Sequence, residues 1–285
     1  CKYVLLTDQD GGVINDPILL KLAEDHFWLS IADSDVLLWA RGVAVNTKMD
    51  VKITEPDVSP LQLQGPKSRD VLKAAFGDAP TELKYFRFIE YNWHGIPLLI
   101  SRTGWSGELG YEIYLRDGSA GNRLWEHIMD VGTSLGLRPG HTSTIRRIEA
   151  GLLSYQADMT LANNPYELGL DRLINLEMET KFIGKEALKS IKENGIKQKL
   201  VGLEIEGDPF IGSNDYFWPL LNDKSKIGTV SSAIYNPRLK KNIALGMVKL
   251  KFTEIGTKLI VDKLGEVRNC SVVSVPFNTK NQMNY

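Results

Sequence analysis

Over residues 200–275 the chain reads as strand after strand, broken by Gly and Pro turns, which is the pattern of a small β-barrel or sandwich. Upstream of it, helical and strand periodicities are mixed, so the expected class is α+β. Residues 2–31 read as a meander. An apolar run at 3–7 meets the turn Asp8-Gln9-Asp10-Gly11-Gly12, a strand resumes over 13–22, Glu24-Asp25 turns the chain, and 27–31 returns. A helix follows, with Asp33 or Ser34 available as its cap and Val36, Leu37, Ala40, Val43 and Ala44 as its apolar stripe.

A second segment begins near Val51. A strand at 62–64 leads into a short helix with Pro66 near its start and Gly77 just past its end. Strands are expected at 84–91, 96–102 and 110–115. The helix 121–135 then places Leu124, Ile128, Val131 and Leu135 on one face and stops at Gly136, and the order suggests a split α+β unit. A further helix is expected over 142–155, with Ile145, Ile148, Leu152 and Leu153 on its apolar side. Glu149 falls inside that apolar sector. A buried carboxylate needs a partner, and Arg146 is the nearest by spacing; a structural ion pair is the main reading and a site role the alternative. A polar helix, 185–194, is closed by Gly195.

Composition removes several function classes. The 285 residues suggest roughly two domains, and 34 basic against 35 acidic residues give a net charge of -1 with no basic block or acidic tail, so a nucleic-acid partner is not expected. No apolar run approaches the ~18 residues of a membrane span, so no membrane partner is expected either. Cys1 and Cys270 are the two cysteines, and the four histidines are scattered without ligand spacing, which argues against a disulfide framework and a metal site. A reducing cytoplasm is the expected setting. The chain runs from Cys1 straight into a strand, so an upstream segment is expected to be missing. The oligomeric state is left open.

Two constellations can carry chemistry. In Gly11-Gly12-Val13-Ile14-Asn15-Asp16-Pro17 a tight turn is followed by a carboxylate; locally, this reads first as a hairpin with a capping Asp. In Ser101-Arg102-Thr103-Gly104-Trp105-Ser106-Gly107-Glu108-Leu109-Gly110-Tyr111-Glu112-Ile113-Tyr114, glycines bracket a Trp and a strand begins. Period two puts Glu112 and Tyr114 on one face and Tyr111, Ile113 and Leu115 on the other. A carboxylate beside an aromatic ring suits a flat heterocycle with adjacent N–H donors; a glycine bulge before an ordinary strand is the equal alternative. No Ser/His/Asp or Cys/His grouping and no close carboxylate pair stands out, which favours a bound cofactor as the reacting partner.

Six motifs in order resemble the glycine-cleavage T-protein superfamily: the Gly11–Asp16 turn, the 102–114 segment, Arg147-Ile148-Glu149-Ala150-Gly151, Asn164-Pro165-Tyr166-Glu167, Phe182-Ile183-Gly184-Lys185-Glu186-Ala187-Leu188 and Ile243-Ala244-Leu245-Gly246. The resemblance covers nearly the whole chain. T-proteins of glycine cleavage usually carry Asp-Asp at Asn15-Asp16 and Tyr at Trp105. An Asn-Ala-x-Asn pattern becomes Ile31-Ala32-Asp33-Ser34 here, and an Arg-Asp becomes Ser143-Thr144. The departures Asn15-Asp16-Pro17, Ala32-Asp33-Ser34-Asp35, Gly104-Trp105-Ser106 and Gly110-Tyr111-Glu112-Ile113-Tyr114 resemble dimethylsulfoniopropionate demethylases.

The resemblance implies a three-lobed T-protein-like fold with a C-terminal small β-barrel. Residues 1–50 and 140–195 would be the remainder of a first folate-binding domain, 51–139 a split α+β domain and 196–285 the barrel. It implies tetrahydrofolate as methyl acceptor and a small-molecule sulfonium as methyl donor. A sulfonium is already a good leaving group, so the protein must chiefly align the methyl carbon with folate N5, at roughly 3–3.5 Å. Tyr3, Trp105 and Tyr114 would border substrate and pterin, Glu112 would grip the pterin's 2-amino and N3–H edge, and Asp16 would sit near the reacting centre as the catalytic carboxylate. An aminomethyltransferase, a folate-dependent O-demethylase and a non-catalytic folate-binding protein are the alternatives.

Overall fold

A computed structural model describes residues 1–31 and 35–278. In chain order, β1 (Lys2–Tyr3), β2 (Leu6–Thr7), β3 (Val13–Asn15), β4 (Ile18–Lys21) and β5 (Phe27–Ser30) precede α1 (Val36–Thr47). Then come β6 (Ser59–Gln64), α2 (Ser68–Phe76), β7 (Phe88–Trp93), β8 (Ile96–Ser101), β9 (Gly110–Leu115) and α3 (Gly121–Thr133). Helices α4 (Thr144–Glu149) and α5 (Lys185–Asn194) lead to β10 (Gln198–Ile205), β11 (Trp218–Asn222), β12 (Ser225–Asn236), β13 (Lys241–Lys249), β14 (Lys258–Lys263) and β15 (Glu266–Val273). The chain is α+β, as expected. The proposed caps Asp33 and Ser34, and the pattern 32–34, lie outside the described residues. The described residues cluster into two compact units, one made of 1–2 and 35–143, the other of 3–31 and 144–278.

In the first unit, β6-β9-β8-β7 form an antiparallel sheet with β9 central. Alternation gives it two faces. Leu63, Leu98, Ile100, Tyr111, Ile113 and Leu115 pack on Val71, Leu72 and Phe76 of α2 and on Leu124 and Ile128 of α3. The other face carries Gln62, Ser101 and Glu112 in register, because Gln62 and Ser101 are the two cross-strand neighbours of Glu112. Helix α3 ends two residues short of the expected position. Leu137 N–H donates to Gly132 O and Gly136 N–H to Thr133 O, and Gly136 has a φ of +92°, so the helix closes in a Schellman motif.

In the second unit, β2 pairs with β3 and β4 with β5. The strand expected to run unbroken over 13–22 is interrupted at Asp16-Pro17, where Pro17 has no N–H to give to a ladder. The helix expected over 142–155 is a larger correction, since α4 spans only Thr144–Glu149. Leu152 N–H donates to Arg147 O and Gly151 N–H to Ile148 O, with Gly151 at a φ of +71°, so another Schellman motif turns the chain before Leu152 and Leu153. A Cβ on Gly151 would also meet Val275 Cγ1 at 2.1 Å. The choice between barrel and sandwich is settled by β15 pairing back onto β10, which closes the order β10-β13-β12-β11-β14-β15. Leu203, Leu220, Val230, Ala244, Val261 and Cys270 are among the buried residues of the barrel's core. A second core in this unit joins Val13, Ile148, Met159 and Leu168 to Ile234, Ile243 and Leu245.

Candidate functional site

The Gly11-Gly12 turn is locked by contacts on every side. Asp8 Oδ1 accepts the N–H groups of Asp10 and Gly12, and Gly12 O accepts Asp8 N–H. Gly11 lies at a φ of +84°, and a Cβ on Gly12 would come within 2.2 Å of Leu161 O. Val13 N–H donates to Asn163 O, and Thr7 Oγ1 donates to Ile183 O. The turn, the loop before Asn164 and the start of α5 therefore brace one another, which gives three of the sequence motifs a shared structural cause.

That turn delivers Asp16. Its N–H donates to Asn15 Oδ1, and its Oδ2 accepts the Tyr3 hydroxyl at 2.7 Å. Burial pushes the Asp16 carboxyl up to about 6, against the lowering effect of the Tyr3 hydrogen bond. Burial, followed by the Asp16 charge, also pushes the Tyr3 phenol up, so Tyr3 remains a donor. Asn15 is fully buried, and its Nδ2 has no hydrogen-bond partner among the described residues.

In the first unit, Glu112 sits at the centre of the sheet's polar face and is 8% exposed. Its Oε1 accepts Gln62 Nε2 at 3.0 Å; its Oε2 accepts the Thr103 hydroxyl in a short bond and the Tyr114 hydroxyl at 3.2 Å. Ser101 Oγ lies 2.5 Å from Thr103 Oγ1. The loop that carries Trp105 is fixed by a different glutamine. Gln64 fills a slot between Gly104 and Gly110, where a Cβ at either position would lie 2.3 Å from its side-chain atoms. Ser106 Oγ donates to Gln64 Oε1, and Ser68 Oγ donates to Leu109 O. Trp105 is half-buried on this loop.

Arg147 and Glu149, the charged residues of the fourth motif's neighbour in α4, occupy two separate polar networks. Arg147 is ion-paired with Asp158, whose oxygens also accept Ser154 N–H and the hydroxyls of Ser231 and Ser232. Glu149 does pair with Arg146 at 3.2 Å, and it also accepts from Arg238, Asn236 and Asn278. Burial alone would raise the Glu149 carboxyl; these donors outweigh it and hold the group below its ordinary range. Both networks tie α4 to the barrel.

The GCVT N-terminal domain family matches residues 1–178, and the glycine cleavage T-protein C-terminal barrel domain family matches 198–278. The chain belongs to the glycine cleavage T-protein family. The chain is 40% identical over 272 residues to dimethylsulfoniopropionate demethylase DmdA of Ruegeria pomeroyi, covering 95% of this chain and 74% of that protein. It is 33% identical over 287 residues to an aminomethyltransferase of Oceanobacillus iheyensis, covering 97% and 76%. The crystal structure of the glycine cleavage aminomethyltransferase T of Bartonella henselae superposes with a TM-score of 0.83 at 26% identity, over 99% of this chain and 76% of that one. These relatives are enzymes that transfer one-carbon groups with tetrahydrofolate as acceptor or carrier, so the expected enzyme class and cofactor hold at the level of the family.

Within this T-protein family member, the structure joins Tyr3 to Asp16 and Glu112 to Tyr114, and sets Trp105 on the braced loop of the Glu112 unit. Sequence reasoning missed Gln62, Ser101, Thr103 and Gln64. The signal for Gln64 was present in the two glycines it separates. Gln62 and Ser101 become visible only through strand register, Gln62 being 50 positions from Glu112, whereas Thr103 reaches Glu112 from the loop between β8 and β9. Glu112 Oε1 accepts the Gln62 amide and, as a carboxylate oxygen, can accept a second donor, so the polar face offers an acceptor to an N–H group. Among the described residues no group of three His, Cys, Asp or Glu side chains could hold a metal, and no helix is long and apolar enough to cross a membrane.

Proposed function

We propose that this T-protein family member moves a methyl group from dimethylsulfoniopropionate to tetrahydrofolate, giving methylmercaptopropionate and 5-methyltetrahydrofolate in the cytoplasm. The observation that carries the reading is the 40% identity to a demethylase over 95% of the chain, against 33% to an aminomethyltransferase over a similar span. The Trp at position 105 supports it. The reading includes the division into a folate-binding domain of 1–50 and 140–195, a split α+β domain of 51–139 and a barrel domain of 196–285.

When bound, tetrahydrofolate would supply N5 as the nucleophile for the sulfonium methyl, with the S–CH3 electron pair staying on sulfur and the N5 proton passing to solvent. In this reading Glu112, with Tyr114 beside it, holds the pterin edge. Asp16 is mostly ionised at neutral pH, since its carboxyl stands at about 6, and favours positive charge at the reacting centre. Tyr3 keeps the Asp16 carboxylate in one orientation through its hydroxyl. The face of Trp105 is read as holding the sulfonium without becoming a nucleophile itself, and Tyr3 is read separately as a substrate-binding residue.

The deciding experiment supplies a panel of methyl donors with tetrahydrofolate and detects 5-methyltetrahydrofolate. Turnover of dimethylsulfoniopropionate is expected. Turnover of the aminomethyl donor instead would move the chain to the aminomethyltransferase reading, which the 33% relative favours.

Two substitutions test the residue roles. Glu112→Gln turns one acceptor into a donor facing the pterin's own donors, so tetrahydrofolate binding is expected to weaken by about 1–3 kcal/mol in calorimetry; unchanged affinity removes Glu112 from this role. Trp105→Leu keeps apolar bulk and removes the ring quadrupole, worth about 0.5–2 kcal/mol per cation contact. Sulfonium affinity should fall, while the neutral thioether product binds wild type and variant alike. Equal loss for both ligands would leave Trp105 a shape role only.

A further inference from the structure

The donors on Glu112 leave too few places for the ligand it is read as holding. A carboxylate offers about four acceptor positions, two on each oxygen. Gln62 fills one on Oε1, and Thr103 and Tyr114 fill both on Oε2. One position remains, on Oε1. A pterin edge presents two adjacent N–H groups, and a bidentate grip needs one acceptor position on each oxygen. One donor on Oε2 must therefore give way when the ligand binds.

The geometry points to which one. Thr103 has a single hydroxyl hydrogen, committed to Glu112 in the shortest of the three bonds. Ser101 must then donate its own hydrogen to Thr103 Oγ1 across 2.5 Å, so Ser101, Thr103 and Glu112 form a relay with one direction. Ser101 is fully buried, and Thr103 is 2% exposed. Undoing the Thr103 bond would leave one hydroxyl hydrogen of the Ser101–Thr103 pair without an acceptor; Tyr114 is 3% exposed, so bond length and fixed direction, not burial, separate the two donors. The Tyr114 bond is the longest of the three, at 3.2 Å, and a phenol can swing its hydrogen about the C–O bond with the ring left in place.

We propose that the Tyr114 hydroxyl is a stand-in for the ligand on Glu112, released when the pterin N–H pair arrives, and that Thr103, backed by Ser101, is the positioning residue that keeps Oε2 aimed. This rests on the reading of Glu112 as the pterin anchor. It also separates two roles for Tyr114: its ring remains beside the ligand while its hydroxyl is a competitor.

The test is calorimetric titration with tetrahydrofolate, with a thermal melt for each variant. Tyr114→Phe removes the competitor and keeps the ring, so affinity should stay the same or rise several-fold. Thr103→Val removes the fixed donor at nearly constant volume, and affinity should fall by about 10-fold. Thr103→Ser should restore affinity to within about threefold, even if its melt stays lowered, which a purely structural role would not do. In turnover, Thr103→Val should raise KM for tetrahydrofolate with kcat nearly unchanged.

Tyr114→Phe weakening binding 10-fold, or Thr103→Val leaving it unchanged, overturns the proposal while Glu112→Gln still weakens binding. If Glu112→Gln itself leaves binding unchanged, the anchor reading falls and takes this proposal with it. If Thr103→Val does not fold, Thr103→Ser against Tyr114→Phe decides: the proposal fails if Tyr114→Phe is the weaker binder of the two.

Discussion

Replacing Asp158 by Ala is expected to lower the unfolding free energy by about 3–5 kcal/mol. Asp158 is 4% exposed and Arg147 6%, so the pair is out of water on both sides. All four acceptor positions of Asp158 are used: Arg147 and Ser154 N–H bind Oδ2, and the hydroxyls of Ser231 and Ser232 bind Oδ1. Truncation takes the Asp158 counter-charge from a buried guanidinium that also donates to Ser232, and breaking one half of a buried ion pair is the costly half of the change. Asp158→Ala should therefore be partly repaired by Arg147→Met, which removes the stranded charge. Urea unfolding of both single variants and the double variant measures this as a thermodynamic cycle. Additive costs would show that the two side chains act independently, contrary to the geometry.

Asp16→Asn is expected to make the protein more stable and less active at once. The carboxyl is raised from 3.8 to about 6 in the folded chain, chiefly by burial. The folded state thus holds its proton more tightly than the unfolded state, and above about pH 6 the ionised group opposes folding. Asn removes that opposition and still offers an oxygen to the Tyr3 hydroxyl. At pH 8 the variant should be more stable by about 1–3 kcal/mol, from roughly two units at 1.4 kcal/mol each, reduced because the residue is only half-buried. The gap should close as pH falls from about 6 to below 3.8, where the wild-type carboxyl is mostly neutral in both states. Turnover should fall by about 10²-fold or more if the negative charge acts at the reacting centre. Loss of stability at pH 8 would make Asp16 a structural cap; full turnover would remove it from the chemistry.

The sequence was most legible where one element's own periodicity decides the outcome. The face of β9 with Glu112 and Tyr114 followed from alternation, and the apolar positions of α1 are the less exposed ones on that helix. Barrel closure was not legible, because it depends on which distant strand β15 pairs with. Helix α4 was overextended because Leu152 and Leu153 continue the helical spacing; their burial comes from the chain beyond the Gly151 turn instead. The polar partners of Glu112 were hidden for the same reason as the barrel's closure. Gln62 and Ser101 reach it through register across two neighbouring strands, and a single strand's pattern contains no register.

The slot that Gln64 occupies between Gly104 and Gly110 bears on how such a loop can drift over generations. Adding one methyl at either glycine collides with the Gln64 side chain, and shortening Gln64 takes away the partner of Ser106. A single step at either glycine therefore displaces the Gln64 amide from the slot and from Ser106, whereas a paired replacement can keep the loop's course. Trp105 lies within this constrained frame but is not part of the slot itself. An ancestral lineage could exchange the residue at 105 in one step while the mounting around it stayed the same.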